Sequence, residues 1–246
     1  MSIIRIYCVD LDLLSGMASA RSREPAVVQT LQSCKNRRMP PTSSPSLRER
    51  KKVETWTAIH EAAASLAQQR GLEHATVEAI AQSAGVSPRT FFNYFPAKED
   101  AVLGLHEPVL DAAEAAKLGG AQDFLEQVTL LLVAVARSSI RDTDNARRRL
   151  ILKRHPHLFA RQMEYMAKAE ALVCEAVARH FSQDPDWASG AEGFSPEETA
   201  RMTVMLAAVP AKFRAKSTNF DPATGLTPKD LAPAVALFHH LQRKLS

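Results

Sequence analysis

Residues 76–100 read TVEAIAQSAGVSPRTFFNYFPAKED. The Thr76 hydroxyl can cap the free amides of a helix that begins at Val77, and Glu78 suits the positive end of that helix. The helix reaches Ala84 and meets Gly85, a residue that tolerates positive φ. Ser87 is a second cap, and Pro88 presets the backbone at a first helical position. This second helix ends near Phe95 and Pro96. Two helices that cross steeply through so short a turn need a small residue at the crossing and a shared apolar wedge. Ala81 supplies the first; Ile80, Ala84, Val86 and Phe91 supply the second. The spacing predicts a helix-turn-helix, whose second helix lies in a DNA major groove with its N-terminal residues toward base edges.

Outward from this stretch the pattern stays helical. Upstream, Val53, Trp56, Ile59, Ala63 and Leu66 recur at three- and four-residue spacing from Leu47 onward, and Gly71 stops that helix. Downstream, Lys98, Glu99 and Asp100 form the first turn of a fourth helix. Further helices are expected over 121–139, 142–154, 158–181, 196–215 and 228–245, with Pro210 expected to kink or break its helix. The sum is about nine helices with no credible strand, an all-α fold. The expected organisation is a DNA-binding unit at 47–104 and a second helical unit at 105–246. Residues 1–46, with Pro25, Pro40, Pro41 and Pro45 and no helical period, are expected to be a disordered extension. A chain start at Met17 or Met39 is an alternative for that segment.

Composition narrows the class. Hydrophobic residues make up 46 % of the 246-residue chain, enough for a core and too many for a wholly disordered protein. Aromatics are 6 %, so the balance favours helices over sheets. A net charge of +4 permits an anionic partner without proving one. Cys8, Cys34 and Cys174 are an odd set without metal spacing, which fits a reducing compartment. No run approaches the ~18 apolar residues of a membrane helix. A soluble, cytoplasmic protein is expected.

The exposed positions of the second helix suit nucleic acid. Arg89 can grip guanine through its fork, Thr90 and Asn93 can meet bases or phosphates, and Tyr94 and Lys98 can reach phosphates. Arg48, Arg50, Lys51 and Lys52 gather before the first helix, where they can steer DNA. Thr76 and Ser87 complete the candidate DNA-contacting set with Arg48, Lys51, Arg89, Thr90, Asn93, Tyr94 and Lys98. The stretch 76–100, with the helix before it, closely resembles the DNA-binding signature of TetR-family transcriptional regulators. That resemblance implies a homodimeric, ligand-responsive repressor that binds a palindromic operator, with 105–246 as its helical ligand-binding and dimerisation unit. It matches Tyr94 and Lys98 to phosphate-contacting positions, and Arg89, Thr90 and Asn93 to groove-facing ones. Phe92 stands where the family commonly has tyrosine, and without that hydroxyl it is left out of the contact set. The resemblance also implies dimerisation through the last two long helices, whose apolar residues include Val204, Leu206, Ala207, Val209, Leu231, Val235, Phe238 and Leu241.

In the second unit, Leu132, Phe159, Met163, Met166, Met202 and Met205 are the candidate lining of an inducer pocket, since methionine adapts to irregular ligands. Core packing is the plainer reading of the same residues. The run Arg147, Arg148, Arg149, Lys153 and Arg154 is either a solvated face or an anion site for an acyl-CoA-like inducer. His155 and His157, like His239 and His240, lack metal-ligand spacing, so no metal or other cofactor is expected. No phosphate loop, nucleophile elbow or paired carboxylates point to an enzyme. A helical protein-interaction module with a vestigial helix-turn-helix is the alternative to a regulator.

Overall fold

The computed structural model describes residues 46–119, 123–140, 145–184, 193–217 and 226–245. The expected extension, with Cys8 and Cys34, lies outside the described residues apart from Ser46. Among the described residues there are ten helices and no strand. They are α1 (Leu47–Arg70), α2 (Val77–Ser83), α3 (Pro88–Phe92), α4 (Lys98–Leu103), α5 (Ala112–Ala115), α6 (Phe124–Ser138), α7 (Asn145–Arg154), α8 (Leu158–Gln183), α9 (Pro196–Ala215) and α10 (Pro228–Leu245). The helix beyond the expected nine is α5, one turn capped by Asp111.

Helix starts follow side-chain chemistry. Ser46 and Glu49 form a reciprocal capping box at α1, and Ser195 and Glu198 do the same at α9. Thr76 accepts from the Ala79 amide at 3.2 Å and Ser87 from the Thr90 amide at 3.0 Å. Two details differ from the sequence pattern. Val53 is half exposed, because the first two turns of α1 extend past the core that Trp56 and Ile59 enter. The helix α9 runs unbroken through Pro210. Proline removes one amide from the ladder, and here the residue is buried in the helix packing, so the helix tolerates it.

Two apolar clusters organise the packing. The first joins α1–α4 through Trp56, Ile59, Ile80, Phe91, Phe95 and Leu103, and also takes in Ile151 of α7 and Leu158 and Tyr165 of α8. Its centre is aromatic: Phe95 lies 5.2 Å from Trp56 and 5.9 Å from Phe91. The second packs α6, α8 and α9 through Val128, Leu132, Val173, Val177, Val204 and Ala207.

Polar contacts stitch the first four helices to the rest. Asp100 of α4 is fully buried, and the Arg161 guanidinium of α8 donates to both its oxygens, at 2.7 and 2.8 Å. Arg147 of α7 donates to both oxygens of Glu61 on α1, at 2.7 and 2.9 Å. Arg154 donates to the Gln68 carbonyl at 2.9 Å. After α4 the chain is pinned to the end of α6 by the His106 amide, which donates to the Ser139 carbonyl at 2.8 Å.

The arginine run is therefore not a uniformly solvated face. Arg148 is buried and bonded to Asn145, while Arg147 and Arg154 face α1. Among the described residues no helix is long and apolar enough to cross a membrane, and no cluster of three His, Cys, Asp or Glu could hold a metal ion.

Candidate nucleic-acid interface and ligand cavity

The turn between α2 and α3 is set by hydrogen bonds. The Gly85 amide donates to the Gln82 carbonyl at 3.2 Å and the Val86 amide to the Ala81 carbonyl at 2.9 Å. This is the paired pattern of a glycine-terminated helix, and Gly85 adopts φ +67° to make it. Ala81 and Ile80 are buried beneath, and Phe91 anchors α3 in the core with no exposure at all. The Ser87 hydroxyl caps α3 and also bonds the Thr90 hydroxyl at 2.9 Å. Thr76 and Ser87 thus hold the two helix starts from within.

With Phe91 and Phe95 inward, the rest of the segment turns outward. At about 100° per residue, the order round α3 and its C-terminal turn is Phe92, Arg89, Asn93, Thr90, Tyr94. Thr90, Asn93 and Tyr94 face the start of α1. Together with Arg48, Lys51 and Lys52 they line an open groove of about 980 Å³. Glu49 also lines it, but the Ser46 amide donates to its carboxylate at 2.7 Å and, with the Ser46 side chain beside it, holds its pKa below the usual range. The three cations outnumber the one carboxylate in the groove, which suits a phosphate backbone. Arg89 and Phe92 are exposed on the side turned away from α1.

Lys98 lies elsewhere. Its ammonium donates to the Leu72 carbonyl at 3.0 Å, tying α4 to the turn after α1. One of its three donors is engaged there, and Lys98 does not line the groove with the others.

The six candidate ligand-lining residues do not converge. Leu132 and Met166 line a cavity of about 320 Å³ between α6, α8 and α9. Met163 is buried outside that cavity, and Phe159 is half-buried, also outside it. Met202 and Met205 stand exposed on the outer face of α9. The reason is helical phase: Ala200, Val204, Ala207 and Ala208 already fill the inner face of α9, which puts 202 and 205 outside. Sequence reasoning missed the cavity's polar residues, Gln162, Glu170, Lys212 and Arg137. The Gln162 side-chain oxygen is buried without a hydrogen-bond partner, and burial lowers the pKa of Lys212, with Glu170 acting against it. Their signal in sequence is weak, because polar residues on α8 and α9 fall on both faces.

The apolar sets expected for dimerisation divide in the same way. Val204, Ala207, Leu231 and Val235 are buried within the protomer. Exposed apolar residues on α9 are Met202, Met205, Leu206, Val209 and Phe213; on α10 they are Leu237, Leu241 and Leu245.

Residues 59–103 match the model of the bacterial regulatory proteins of the tetR family. The HTH-type transcriptional regulator TcmR of Streptomyces glaucescens is 38 % identical over 81 residues, which span 31 % of this chain and 36 % of that protein. The match therefore covers about a third of the relative's length. Among solved structures, NalD of Pseudomonas aeruginosa, the secondary repressor of the MexAB-OprM multidrug efflux pump, aligns with a TM-score of 0.43 and 20 % identity over 78 % of this chain and 96 % of that one. FadR of Thermus thermophilus, solved with lauroyl-CoA, aligns with a TM-score of 0.34 and 22 % identity over 74 % and 92 %.

Proposed function

We propose that the chain is a sequence-specific DNA-binding transcriptional regulator of the tetR type, the family whose model its residues 59–103 match. The observation that carries this is the groove in which Arg48, Lys51, Lys52, Thr90, Asn93 and Tyr94 converge, with Arg89 exposed beside it. The groove residues grip phosphates, and Arg89 reads a base edge. Residues 47–104 form the DNA-binding unit and 105–246 the regulatory one. Repression is by steric competition with polymerase.

The active species is a homodimer. The outer faces of α9 and α10 carry stripes of exposed large apolar residues, which meet their copies across a two-fold axis. The two recognition helices then lie about 34 Å apart and read a palindromic operator. Control comes from a small, largely apolar inducer in the α6–α8–α9 cavity, with Gln162 accepting a hydrogen bond from it. At about 320 Å³ the cavity takes an acyl-chain-sized body. In the arginine run Arg147, Arg148 and Arg154 face Glu61, Asn145 and Gln68, whereas Arg149 and Lys153 are exposed and remain the cations that an anionic group of an inducer would meet. Gln162 and Met166 wall the cavity from the same turns of α8 whose Arg161 grips Asp100 on α4. An inducer that binds two placements of α8 unequally shifts α4, and with it the recognition helix.

The test is selection of bound sequences from random duplex DNA by the purified protein, with Arg89→Ala as control. A two-fold symmetric motif that relaxes at one position in the variant is expected. No enrichment from a folded, helical protein would favour the interaction-module alternative.

A further inference from the structure

The recognition surface has one feature that phosphate gripping does not use. Phe92, the last residue of α3, is 58 % exposed. Apart from it, the exposed large hydrophobics of residues 47–104 are Leu47 and Val53, both in the first two turns of α1. Phe92 is also not loose. Its ring meets Phe91 edge-to-face at 5.4 Å, and Phe91 is fixed in the aromatic core against Phe95. A rigid apolar ring is thus presented to solvent at the edge of a polar surface, next to Arg89.

Position on the helix says what it meets. Phe92 is three residues after Arg89 and lies next to it round the helix, on the flank turned away from the phosphate-gripping groove. In the DNA-bound arrangement it therefore borders the base-facing side of the helix within the major groove, beside Arg89. The one apolar group that base edges present there is the 5-methyl of thymine. We infer that Phe92 is a specificity-determining residue that packs against a thymine methyl beside the base read by Arg89. The inference rests on the DNA-binding reading above and adds a base preference to it. Side chains three apart on a helix are about 5–6 Å apart at Cβ. Base pairs rise about 3.4 Å, so the thymine lies one or two steps from the guanine.

The experiment starts from the duplex selected by the full-length protein. Each thymine of one half-site, with its symmetry mate, is replaced in turn by deoxyuridine, which removes the methyl and leaves the hydrogen-bonding edge unchanged. Affinity is measured for the wild type, Phe92→Ser and Phe92→Tyr. One symmetric replacement is expected to weaken the wild type about fourfold per methyl, to weaken Phe92→Tyr similarly, and to leave Phe92→Ser unaffected. Phe92→Ser should keep its discrimination at the guanine. The inference is overturned if the wild type is indifferent to every replacement, or if Phe92→Ser retains the sensitivity. It is equally overturned if Phe92→Ser weakens all duplexes alike, which would mean a backbone contact. Failure to select any duplex would instead remove the DNA-binding reading, and this inference with it.

Discussion

Gly85 holds the helix-turn-helix at a single backbone torsion. Its φ of +67° lies in the left-handed region, and a Cβ added there would meet no atom within 4 Å. The cost of Gly85→Ala is therefore backbone strain without steric conflict, about 1 kcal/mol. Urea unfolding is expected to give that loss with an unchanged m-value; a neutral substitution would mean that the turn adopts another geometry. The neighbouring cap residues were legible for the same reason that Gly85 was. Thr76 and Ser87 act on amides three residues away, so their roles depend only on local sequence. Lys98 was legible as a cation at a helix start. Its bond to Leu72, twenty-six residues earlier, was not, because nothing in the local pattern selects that carbonyl.

At the scale of elements, α4 and α8 are joined by a buried charge pair whose two halves are unequal. Asp100 is fully buried, whereas the Arg161 side chain is 31 % exposed and also bonds Glu164. Removing arginine strands a buried carboxylate; removing the aspartate charge leaves an arginine that still has Glu164 and water. Arg161→Met is expected to cost about 3–5 kcal/mol. Asp100→Asn, which keeps the shape and removes the charge, should cost distinctly less. Equal losses in chemical denaturation would mean that the burial of Asp100 is not what matters.

The same junction has a pH signature. Burial, with the Asp100 carboxylate beside it, pushes the Tyr165 phenol up to about 12 despite the nearby Arg161. The ordinary value is about 10. Because the folded-state value is the higher one, this contribution to stability is complete below the unfolded value. It is lost as pH rises through the folded one. Between pH ~10 and about 12 the denaturation midpoint of the wild type should fall more steeply than that of Tyr165→Phe. Parallel curves would place the tyrosine in water. Periodicity found α4 and α8 as helices. It carried no information that residues 100 and 161 meet, since sixty-one residues of chain separate them.

For the whole molecule, the proposed dimer turns on the outer stripe of α9 and α10. Phe213 and Leu241 are 54 % and 48 % exposed on their separate helices. Replacing both with glutamate puts two like charges into each half of a symmetric interface, where desolvation and repulsion oppose association. Sedimentation is expected to give a dimer for the wild type at micromolar concentration and a folded monomer for the double variant, with weaker binding to a symmetric duplex. A wild-type monomer, or a double variant that stays dimeric, would exclude this surface as the interface.

What the amino-acid order determined by itself is nine of the ten described helices, the caps of α2 and α3 and the helix-turn-helix geometry. Each of these depends on residues three to eight positions apart. The recognition segment was readable almost to the atom because its buried wedge, turn glycine and cap hydroxyls are contiguous. Tertiary structure alone decided which side of each later helix faces inward. An apolar stripe on α9 wide enough for both a core and an outer surface cannot say which half is which, so Val204 and Ala207 went inside while Met202 and Met205 went outside. It also decided that the arginines of α7 stitch α1 and that Phe92 stands exposed on a fixed Phe91. Those outcomes depend on which distant surfaces compete for the same helix face, and such competition is settled only when the whole chain packs.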